Sequence, residues 1–493
     1  MGRLQGGGCS MTDRYLGIDL GSTSVKAGVF DATGRCLSQF SERYLTERPA
    51  SGWAEQDPDD WMRLIGQALQ QLSGVGPVGF GCLTSQVNTH VFVDGAGGAL
   101  APAILWQDVR AAAEAAELDA RLSMADKIRY LGGPIPVDAS HPLARMLWMA
   151  RHRPEVWEQT AYVLLPKDYC LLHLTGVLAS DPLSNVGLVG PELTYVPQIL
   201  DLVEGAAGRM APLVAITDVV GAIKDGFGLS GTRMVAGTMD GWVGLFGGGA
   251  GQPGEMVYLS GTSEILGIAS SHVTGEPGII VFPQVEGLRL HAGPTQSGGA
   301  SQLWYCDVAG LTVEGLIAQV AATPRRQPTP LFLPQLAGER APLWNPDLRG
   351  AFLGLDSGMT QVDMARAVLE GVALSARHVL GALSASSGVD RDTMLCGGGG
   401  FRSDPWGQIR ADVLNRRLTR LAVNEPGLLG AVALAAYGAG AQASLAAAHA
   451  AFARYDTLWE PDPAKRGLYD DLFGIYLDAI KANEAIGRRI ARL

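Results

Sequence analysis

The sequence predicts an α/β protein built from two domains. The chain has 493 residues, too many for one compact core, and its 47% apolar and 18% charged residues are typical of a globular protein. Strand-like and helix-like segments alternate in both halves, which indicates sheets covered by helices. Each half also contains one apolar run that is broken by glycine and followed by hydroxyl residues, at 17–24 and at 257–264.

The elements of the first half can be read in order from their turn residues. Tyr15 to Phe30 predicts two strands joined by a hairpin, because an alternating apolar pattern is interrupted by glycine. Residues 78–93 predict a further pair of strands. Helical patterns follow at 110–122, at 141–152 and at 154–160.

A glycine-rich stretch at 247–254 predicts the domain boundary, since five of its eight residues are Gly and one is Pro. We therefore assign residues 14–250 to an N-terminal domain and residues 251–493 to a C-terminal domain. Residues 1–13 are polar and rich in glycine, and we interpret them as a disordered extension.

The second half repeats the scheme of the first. After the strands of the second hairpin, an amphipathic helix is predicted at 363–383. Residues 393–400 indicate a strand that runs into four glycines, and helices follow at 404–414 and 468–490.

Charge and cysteine content limit the class of function. The formal net charge of -11 argues against nucleic acid as a partner. The six cysteines lack the spacing of metal ligands, so reduced thiols and a cytoplasmic location are expected. Residues 426–453 carry no charged side chain, with His449 taken as neutral, but they are rich in Ala and Gly, which favours buried helices over a membrane span.

The first hairpin has the composition of a phosphate-binding turn. Its backbone N–H groups, with the hydroxyls of Ser22 and Thr23, can face a phosphate, and Lys26 adds a positive charge. Asp19 directly precedes the turn and can hold Mg²⁺, either directly or through a water. The alternative is an aspartate that only forms the turn.

The second half offers two further segments for a nucleotide. Gly261 and Thr262 repeat the glycine–hydroxyl chemistry of the first hairpin, although such turns are common. The glycines around Gly399 and Gly400 leave a backbone that a planar ring can approach, with Asp404 at the start of the next helix. An ordinary strand-to-helix loop is the alternative there.

Asp240 is the candidate general base. It follows an apolar strand and lies between glycines, where a carboxylate can accept the proton of a hydroxyl as the bond to phosphorus forms. The alternative is a helix N-cap. Together, the two hairpins and the two aspartates predict phosphoryl transfer.

Polar residues that follow strands in the first half can recognise a polyol. Amides, a carboxylate and an indole together supply hydrogen bonds and an apolar face. Each by itself is more typical of a surface or a helix cap. The residues concerned are Gln86, Val87, Asn88, Trp106 and Asp108.

The chain resembles the FGGY carbohydrate kinases, and among them the xylulokinases. The similarity extends from about Tyr15 to the C-terminal helix. The resemblance lies in several motifs in family order and at family-like spacing. These motifs span residues 15–23, 52–58, 103–108, 165–169, 334–342 and 366–372.

The resemblance implies an α/β, two-domain actin-like ATPase (ribonuclease H-like) fold with a catalytic cleft between the domains. It implies ATP and Mg²⁺ as cofactors and a small-molecule sugar as substrate, with no nucleic acid and no membrane as partners, and it allows a homodimer. Motif by motif, it makes Asp240 the catalytic base, which also contacts the sugar, and Asp19 the metal-side carboxylate. On the nucleotide side it assigns Ser22, Thr23, Gly261, Thr262, Gly299, Gly399, Gly400 and Asp404. On the sugar side it assigns Gln86, Val87, Asn88, Trp106 and Asp108.

One motif departs from the family pattern. Xylulokinases usually have Gln-Met-His where this chain has Gln86, Val87 and Asn88, and glycerol kinases have an Arg-Glu pair. We expect phosphorylation of the 5-hydroxyl of D-xylulose to D-xylulose 5-phosphate, with a ribulose-type ketopentose or an erythritol-type polyol as alternatives. A non-catalytic, actin-like nucleotide-dependent regulator is the outside alternative, but it would not need Asp240 or the polar set around Asn88.

Overall fold

The computed structural model describes residues 14–272, 275–423 and 425–490, so the predicted N-terminal extension lies outside the described residues. The chain forms two compact units. The first holds the chain up to Gly244 together with Gly427–Phe452, and the second holds Leu245–Pro426 and Ala453–Leu493. The chain therefore passes between the units three times. The boundary predicted at 250 is close to the first passage, whereas the return of 427–452 to the first unit is not evident from the sequence.

The described residues form strands and helices throughout the chain. The strands are β1 (Arg14–Leu20), β2 (Ser24–Asp31), β3 (Cys36–Arg43), β4 (Glu55–Gln56), β5 (Phe80–Ser85), β6 (Val91–Val93), β7 (Ala103–Ile104), β8 (Tyr162–Leu164), β9 (Val219–Ala222), β10 (Arg233–Val235), β11 (Met256–Ser260), β12 (Glu264–Ser270), β13 (Ile280–Val281), β14 (Arg289–Pro294), β15 (Leu331–Leu333), β16 (Ala351–Leu353), β17 (Thr393–Gly397), β18 (Arg417–Leu421) and β19 (Tyr455–Trp459). The helices are α1 (Pro58–Leu72), α2 (Ala112–Ala120), α3 (Met124–Leu131), α4 (Pro142–His152), α5 (Pro154–Gln159), α6 (Pro166–Thr175), α7 (Pro197–Leu200), α8 (Asp240–Gly248), α9 (Gly299–Ala309), α10 (Val313–Ala322), α11 (Gln361–Ser387), α12 (Asp404–Leu414), α13 (Pro426–Gly438), α14 (Leu445–Phe452) and α15 (Arg466–Ile490).

The sheet of the first unit has the order β3-β2-β1-β5-β10-β9. β1, β2 and β3 are antiparallel neighbours, and β1, β5 and β10 are parallel neighbours. The predicted hairpin of β1 and β2 is confirmed, with Leu20 opposite Val25. The predicted pair at 78–93 does form two strands, but β6 pairs with β8 outside this sheet, so the two strands are not partners.

The charge-free segment beyond residue 426 forms α13 and α14, and α13 packs on the first unit through glycines. A Cβ on Gly17 of β1 would lie 2.9 Å from the carbonyl oxygen of Leu428. A Cβ on Gly430 of α13 would lie 2.2 Å from the carbonyl oxygen of Val243. Backbones this close leave no room for a side chain, which explains the small residues of this segment.

The sheet of the second unit repeats the first. Its order is β13-β14-β12-β11-β17-β18-β19. β14, β12 and β11 are antiparallel neighbours, β11, β17 and β18 are parallel neighbours, and β19 is antiparallel to β18. The second predicted hairpin is the turn between β11 and β12. Three antiparallel and two parallel strand pairings in the same order in both units correspond to the doubled sheet of the actin-like ATPase fold.

The long helix α11 forms the centre of the core of the second unit. Residues such as Val372, Ala376 and Leu383 on it are completely buried against strands and helices of that unit. Within the described residues, the five cysteines are free thiols and four of them are buried. None of the helices formed by those residues is long and apolar enough to cross a bilayer.

His141 caps helix α4 with its imidazole. Its Nδ1 accepts a hydrogen bond from the backbone N–H of Leu143 at 3.2 Å, and its Nε2 lies 3.3 Å from the carbonyl oxygen of Gly187. These partners require the proton on Nε2 and a bare Nδ1. Burial lowers the pKa of His141 to about 4.

Acid should therefore weaken the first unit through His141. Above pH 6.5 the imidazole is neutral in both states. As the pH falls from 6.5 towards 4, the unfolded chain takes up a proton that the folded chain does not, which lowers the free energy of unfolding by about 2 kcal/mol between pH 7 and pH 5. His141→Asn keeps an acceptor for the cap but does not titrate. Urea unfolding at the two pH values should show a smaller acid loss in the variant, and an unchanged loss would contradict this assignment.

Candidate active site

Three parallel strands of the first unit bring predicted site residues to one edge of the sheet. Asp19 is the last but one residue of β1. Gln86 follows β5 directly, and its backbone N–H donates to the carbonyl oxygen of Leu20 at 2.9 Å. Asp240 opens α8 after β10. Because the carboxyl ends of parallel strands share an edge and neighbouring strands lie ~4.8 Å apart, this edge carries both predicted catalytic aspartates and the first sugar-side residue.

The segment between β10 and Asp240 continues alongside β5. Met239 forms a parallel bridge with Ser85. Gly237 has a φ of 64°, and a Cβ on it would lie 2.2 Å from the carbonyl oxygen of Leu83. A glycine is required for so close an approach in this conformation. The backbone that leads into Asp240 is thereby fixed against the central strand.

A buried polar cluster holds Thr238, two residues before Asp240. The Thr238 hydroxyl donates to Asp181 at 2.7 Å, and Asp181 pairs with Lys167 Nζ at 2.9 Å. Lys167 also pairs with Asp168, and all three charged side chains are at most 1% exposed. Burial raises the pKa of Asp168, and the two carboxylates raise the pKa of Lys167 against the opposing effect of burial.

Tyr44 lies beside the first hairpin. Its hydroxyl donates to the carbonyl oxygen of Gly21 in the first hairpin. Burial raises the pKa of Tyr44, and the negative charges of Asp19 and Asp240 add to this effect. The two carboxylates therefore act on the same phenol. Sequence reasoning missed Tyr44, which lies in a segment without a recognisable motif.

The surroundings of Asp19 come from distant parts of the chain. Lys26 lies opposite Asp19 in the β1–β2 register, and Thr23 is exposed in the turn between these strands. A Cβ on Gly427 in the first turn of α13 would lie 2.4 Å from Asp19 Oδ2. Helix α13 thus begins directly beside the Asp19 carboxylate. The positive N-terminal end of the helix dipole stabilises the negative charge there.

Side chains link the predicted sugar-side residues to the first hairpin. Gln86 Nε2 donates to Gln56 Oε1 at 3.1 Å, and Gln56 Nε2 donates to the carbonyl oxygen of Ser22 at 2.8 Å. Trp106 Nε1 donates to Ser22 Oγ at 2.9 Å. Gln86 Oε1 is buried and has no hydrogen-bond partner among the described residues. A buried acceptor without a partner is costly, which marks this position as a functional candidate.

Asn88 is held in an unusual backbone conformation. Its φ is 53°, in the left-handed region that Asn tolerates better than most residues. Its Nδ2 donates to Ser140 Oγ at 3.2 Å, and its carbonyl oxygen accepts from Arg145. Val87 and Asn88 are both half-buried, so the distinctive part of the Gln86–Asn88 motif is open to contact.

Arg145 organises this region and was not identified from the sequence. It is fully buried on α4, and it donates to the carbonyl oxygens of Asn88, Ile104 and Leu105 and to His90 Nδ1. Burial lowers the pKa of Arg145 to about 9. The signal that could have found it is a single arginine within the apolar run 142–150 of that helix.

Asp108 is committed to structural contacts. Its two oxygens accept from the Arg110 side chain at 2.9 and 2.6 Å, and Oδ2 also accepts from the backbone N–H of Ala54 at 2.6 Å. The side chain is completely buried. These contacts give Asp108 a role in fixing the loop beside Trp106, and they offer no support for its predicted contact with a sugar.

In the second unit, the second hairpin contacts both other nucleotide-side segments. The backbone N–H groups of Gly299 and Ala300, in the first turn of α9, donate to the carbonyl oxygens of Gly261 and Thr262 at 3.0 and 2.9 Å. A Cβ on Gly398 would lie 2.4 Å from the carbonyl oxygen of Ser260. The predicted residues Gly261, Thr262, Gly299, Gly399 and Gly400 therefore form one continuous backbone surface. Asp404 is exposed in the first turn of α12, which follows it.

The metal site predicted at Asp19 is not a protein cage. No group of three or more His, Cys, Asp or Glu side chains that could hold a metal occurs within residues 14–272, 275–423 and 425–490. Mg²⁺ is usually bound through one or two carboxylates and the phosphates of the substrate. One half-buried carboxylate at a strand end is compatible with that mode.

Comparison with known proteins identifies the family. Residues 14–247 match the N-terminal domain of the FGGY family of carbohydrate kinases, and residues 219–439 match its C-terminal domain. The chain belongs to the FGGY family of carbohydrate kinases. The predicted resemblance is confirmed, and the protein is a sugar kinase.

Relatives of this FGGY kinase align over most of their length. It is 30% identical to a xylulose kinase from Escherichia coli over 87% of this chain and 91% of the relative. It is 27% identical to a xylulose kinase from Lactococcus lactis over 96% of this chain and 98% of the relative. A solved gluconate kinase from Lactobacillus acidophilus superimposes with a TM-score of 0.87 at 24% identity, over 96% of this chain and 98% of that one, and shares the fold.

Gly427→Ala should disturb Asp19 directly. The added methyl group would lie 2.4 Å from Oδ2, so the carboxylate or the helix must move. We expect kcat for the best sugar to fall about tenfold or more, as for other small misplacements of reacting groups. Gly438 lies on the same helix, and Gly438→Ala is the matched control. Its added methyl group would lie 2.6 Å from the carbonyl oxygen of Thr217. Equal losses of kcat in the two variants would contradict a specific effect on Asp19.

Proposed function

We propose that this kinase transfers the γ-phosphoryl group of ATP to a hydroxyl of a ketopentose, with the 5-hydroxyl of D-xylulose as the first candidate. The observation that carries the proposal is the edge of the first sheet, where Asp19 lies near the end of β1, Gln86 follows β5 directly, and Asp240 follows the segment that continues from β10 beside β5. Similarity to xylulose kinases over most of the chain supports the choice of sugar.

Asp240 is the proposed general base. The hydroxyl oxygen of the sugar attacks the γ-phosphorus, the bond from that phosphorus to the bridging oxygen breaks, and ADP leaves. The hydroxyl proton passes to the Asp240 carboxylate as the new bond forms. One carboxylate oxygen accepts from the backbone N–H of Gly241 at 2.7 Å, which holds the group in place at the start of α8.

The phosphates of ATP are assigned to the hairpin turns and its adenosine to the glycines around Gly399 and Gly400, and the surroundings of two glycines support this. Gly261 and Gly399 are exposed, and a Cβ on Gly399 would meet no atom within 4 Å. On Gly261 the nearest atom would be a backbone oxygen at 3.6 Å. Neither has a positive φ, so nothing in the protein requires glycine there. A ligand that approaches the backbone closely would require it.

Asp19 would hold Mg²⁺, which when bound neutralises charge on the phosphates. On the sugar side, Gln86 offers its amide oxygen and Asn88 its amide to hydroxyls. The Trp106 indole, fixed by its hydrogen bond to Ser22, offers an apolar face. A ribulose-type ketopentose or an erythritol-type polyol remains an alternative, because none of these three side chains selects one stereochemistry of the sugar.

Asp240→Asn should abolish transfer without abolishing binding. The amide keeps the shape of the side chain but cannot accept the proton, so we expect kcat to fall by about 10²–10⁴ while the KM for ATP changes little. Asp201→Asn, an exposed residue of the same unit, serves as the control. Near-normal kcat in Asp240→Asn would show that the base is another group.

A screen for ADP release across ketopentoses, ketohexoses, gluconate and polyols tests the substrate. We expect the highest kcat/KM with D-xylulose, and Asn88→Ala should raise the KM for that sugar about tenfold while leaving the KM for ATP unchanged. Turnover of gluconate or glycerol without turnover of any pentulose would contradict the proposed substrate. An Asn88→Ala effect on ATP alone would contradict the assignment of Asn88.

A further inference from the structure

Arg410 is a fully buried residue of α12 that joins the second hairpin to the glycine loop (residues 397–400). Its Nη1 donates to the carbonyl oxygen of Gly400 at 2.6 Å. Its Nη2 donates to Ser260 Oγ and to Glu264 Oε1, each at 2.7 Å. One guanidinium group therefore contacts both of the segments that the proposed function assigns to ATP.

Aromatic rings fix the plane of this guanidinium. Its central carbon lies 3.8 Å from the ring centre of Trp406 and 4.4 Å from that of Phe401. Tyr258 packs edge-on against Phe401, and its hydroxyl donates to Glu264 Oε2 at 2.6 Å. The group can neither rotate nor move without disturbing these rings, since each is nearly or completely buried.

Glu264 completes the arrangement as a buried anion. Burial raises the pKa of Glu264, whereas Arg410 and the hydroxyls of Tyr258 and Ser260 lower it. Ser260 Oγ donates to Glu264 Oε1 at 2.9 Å. A buried ion pair often adds little net stability over an apolar pair of the same size, but it defines one geometry strictly.

The second hairpin and the glycine loop are in close contact. A Cβ on Gly400 would lie 2.1 Å from Ser260 Oγ. A shift of either backbone by an ångström would therefore break the hydrogen bonds of Arg410 or make the two backbones collide. The ladder between β11 and β17 joins the two segments as far as Leu259 and Gly397, and Arg410 fixes their spacing beyond the end of that ladder.

We propose that Arg410, paired with Glu264, is a positioning residue that holds the second hairpin and the glycine loop at the spacing at which one ATP molecule contacts both. The proposal rests on the proposed function, since it takes the hairpin as the phosphate side and the loop as the adenosine side. Arg410 is completely buried and lies behind the surface that the nucleotide would contact. It acts through Ser260 and Gly400.

The test is Arg410→Lys. An ammonium group retains the charge but cannot reach the acceptors on both sides in the fixed plane of a guanidinium. We expect the KM for ATP to rise about tenfold, while the KM for the sugar stays within about twofold. Inhibition by free adenosine, which needs only the loop, should change by less than about threefold. A general loss of structure would weaken the binding of ATP, of the sugar and of adenosine alike.

The second unit offers a matched control. Arg325 pairs with Glu370 at 3.0 Å, and Tyr469 donates to the same carboxylate at 3.1 Å, so this trio repeats the chemistry of Arg410, Glu264 and Tyr258 away from the nucleotide segments. Arg325→Lys should leave the KM for ATP unchanged. Glu264→Gln, which preserves shape, should raise that KM in the same direction as Arg410→Lys, and it provides the test if Arg410→Lys does not fold.

The outcomes separate this proposal from the one on which it rests. A wild-type enzyme without ATP-dependent sugar phosphorylation would refute the proposed function. If the wild type is active, two results would refute the positioning role. One is an equal rise in the KM for ATP in Arg325→Lys and Arg410→Lys. The other is an unchanged KM for ATP in both Arg410→Lys and Glu264→Gln. The positioning role would also be refuted if adenosine inhibition weakened in proportion to the rise in the KM for ATP.

Discussion

The parallel pairing of β1, β5 and β10 is the constraint on which the candidate site depends. Backbone hydrogen bonds between these strands set the register in which Asp19, Gln86 and Asp240 leave the sheet. Side-chain contacts refine that placement but do not create it, because each of the three residues lies at or just beyond a strand end. The polar cluster around Asp181 then extends the register beyond β10, where ladder hydrogen bonds are fewer.

Both units use a buried ionic group next to the backbone that carries the chemistry. In the first, Lys167 and Asp181 hold Thr238, and in the second, Arg410 and Glu264 hold Ser260. Lys167 and Arg410 lie on helices and Glu264 on a strand, whereas Asp181 lies in the segment that follows α6. Charged pairs in such places are expensive to bury, so their value lies in defining one arrangement of a flexible, glycine-containing segment.

Much of this could be predicted from the sequence because the signals were local. Glycine–hydroxyl turns between apolar strands predict hairpins, and both form. The return of α13 to the first unit could not be predicted, because it depends on glycines such as Gly17 and Gly430 meeting backbone far away in sequence. The contact of Asp108 with the distant Ala54 could not be predicted from its motif, and its contact with a sugar stays a prediction. Arg145 was missed because most of its acceptors are backbone carbonyls, which leave no trace in composition.

The packing of α13 on β1 has a consequence for biosynthesis. Gly17 and Leu428, which touch in the folded protein, are separated by about 400 residues, so the ribosome finishes the sheet of the first unit long before it makes the helix that completes it. The end of β10 and the start of α13 are about 190 residues apart, so at about 5–20 residues per second this interval is on the order of 10–40 s. During that time the glycine-lined apolar face of β1 stays uncovered on the nascent chain. An uncovered apolar face of this kind is one to which a chaperone or an aggregating neighbour can bind.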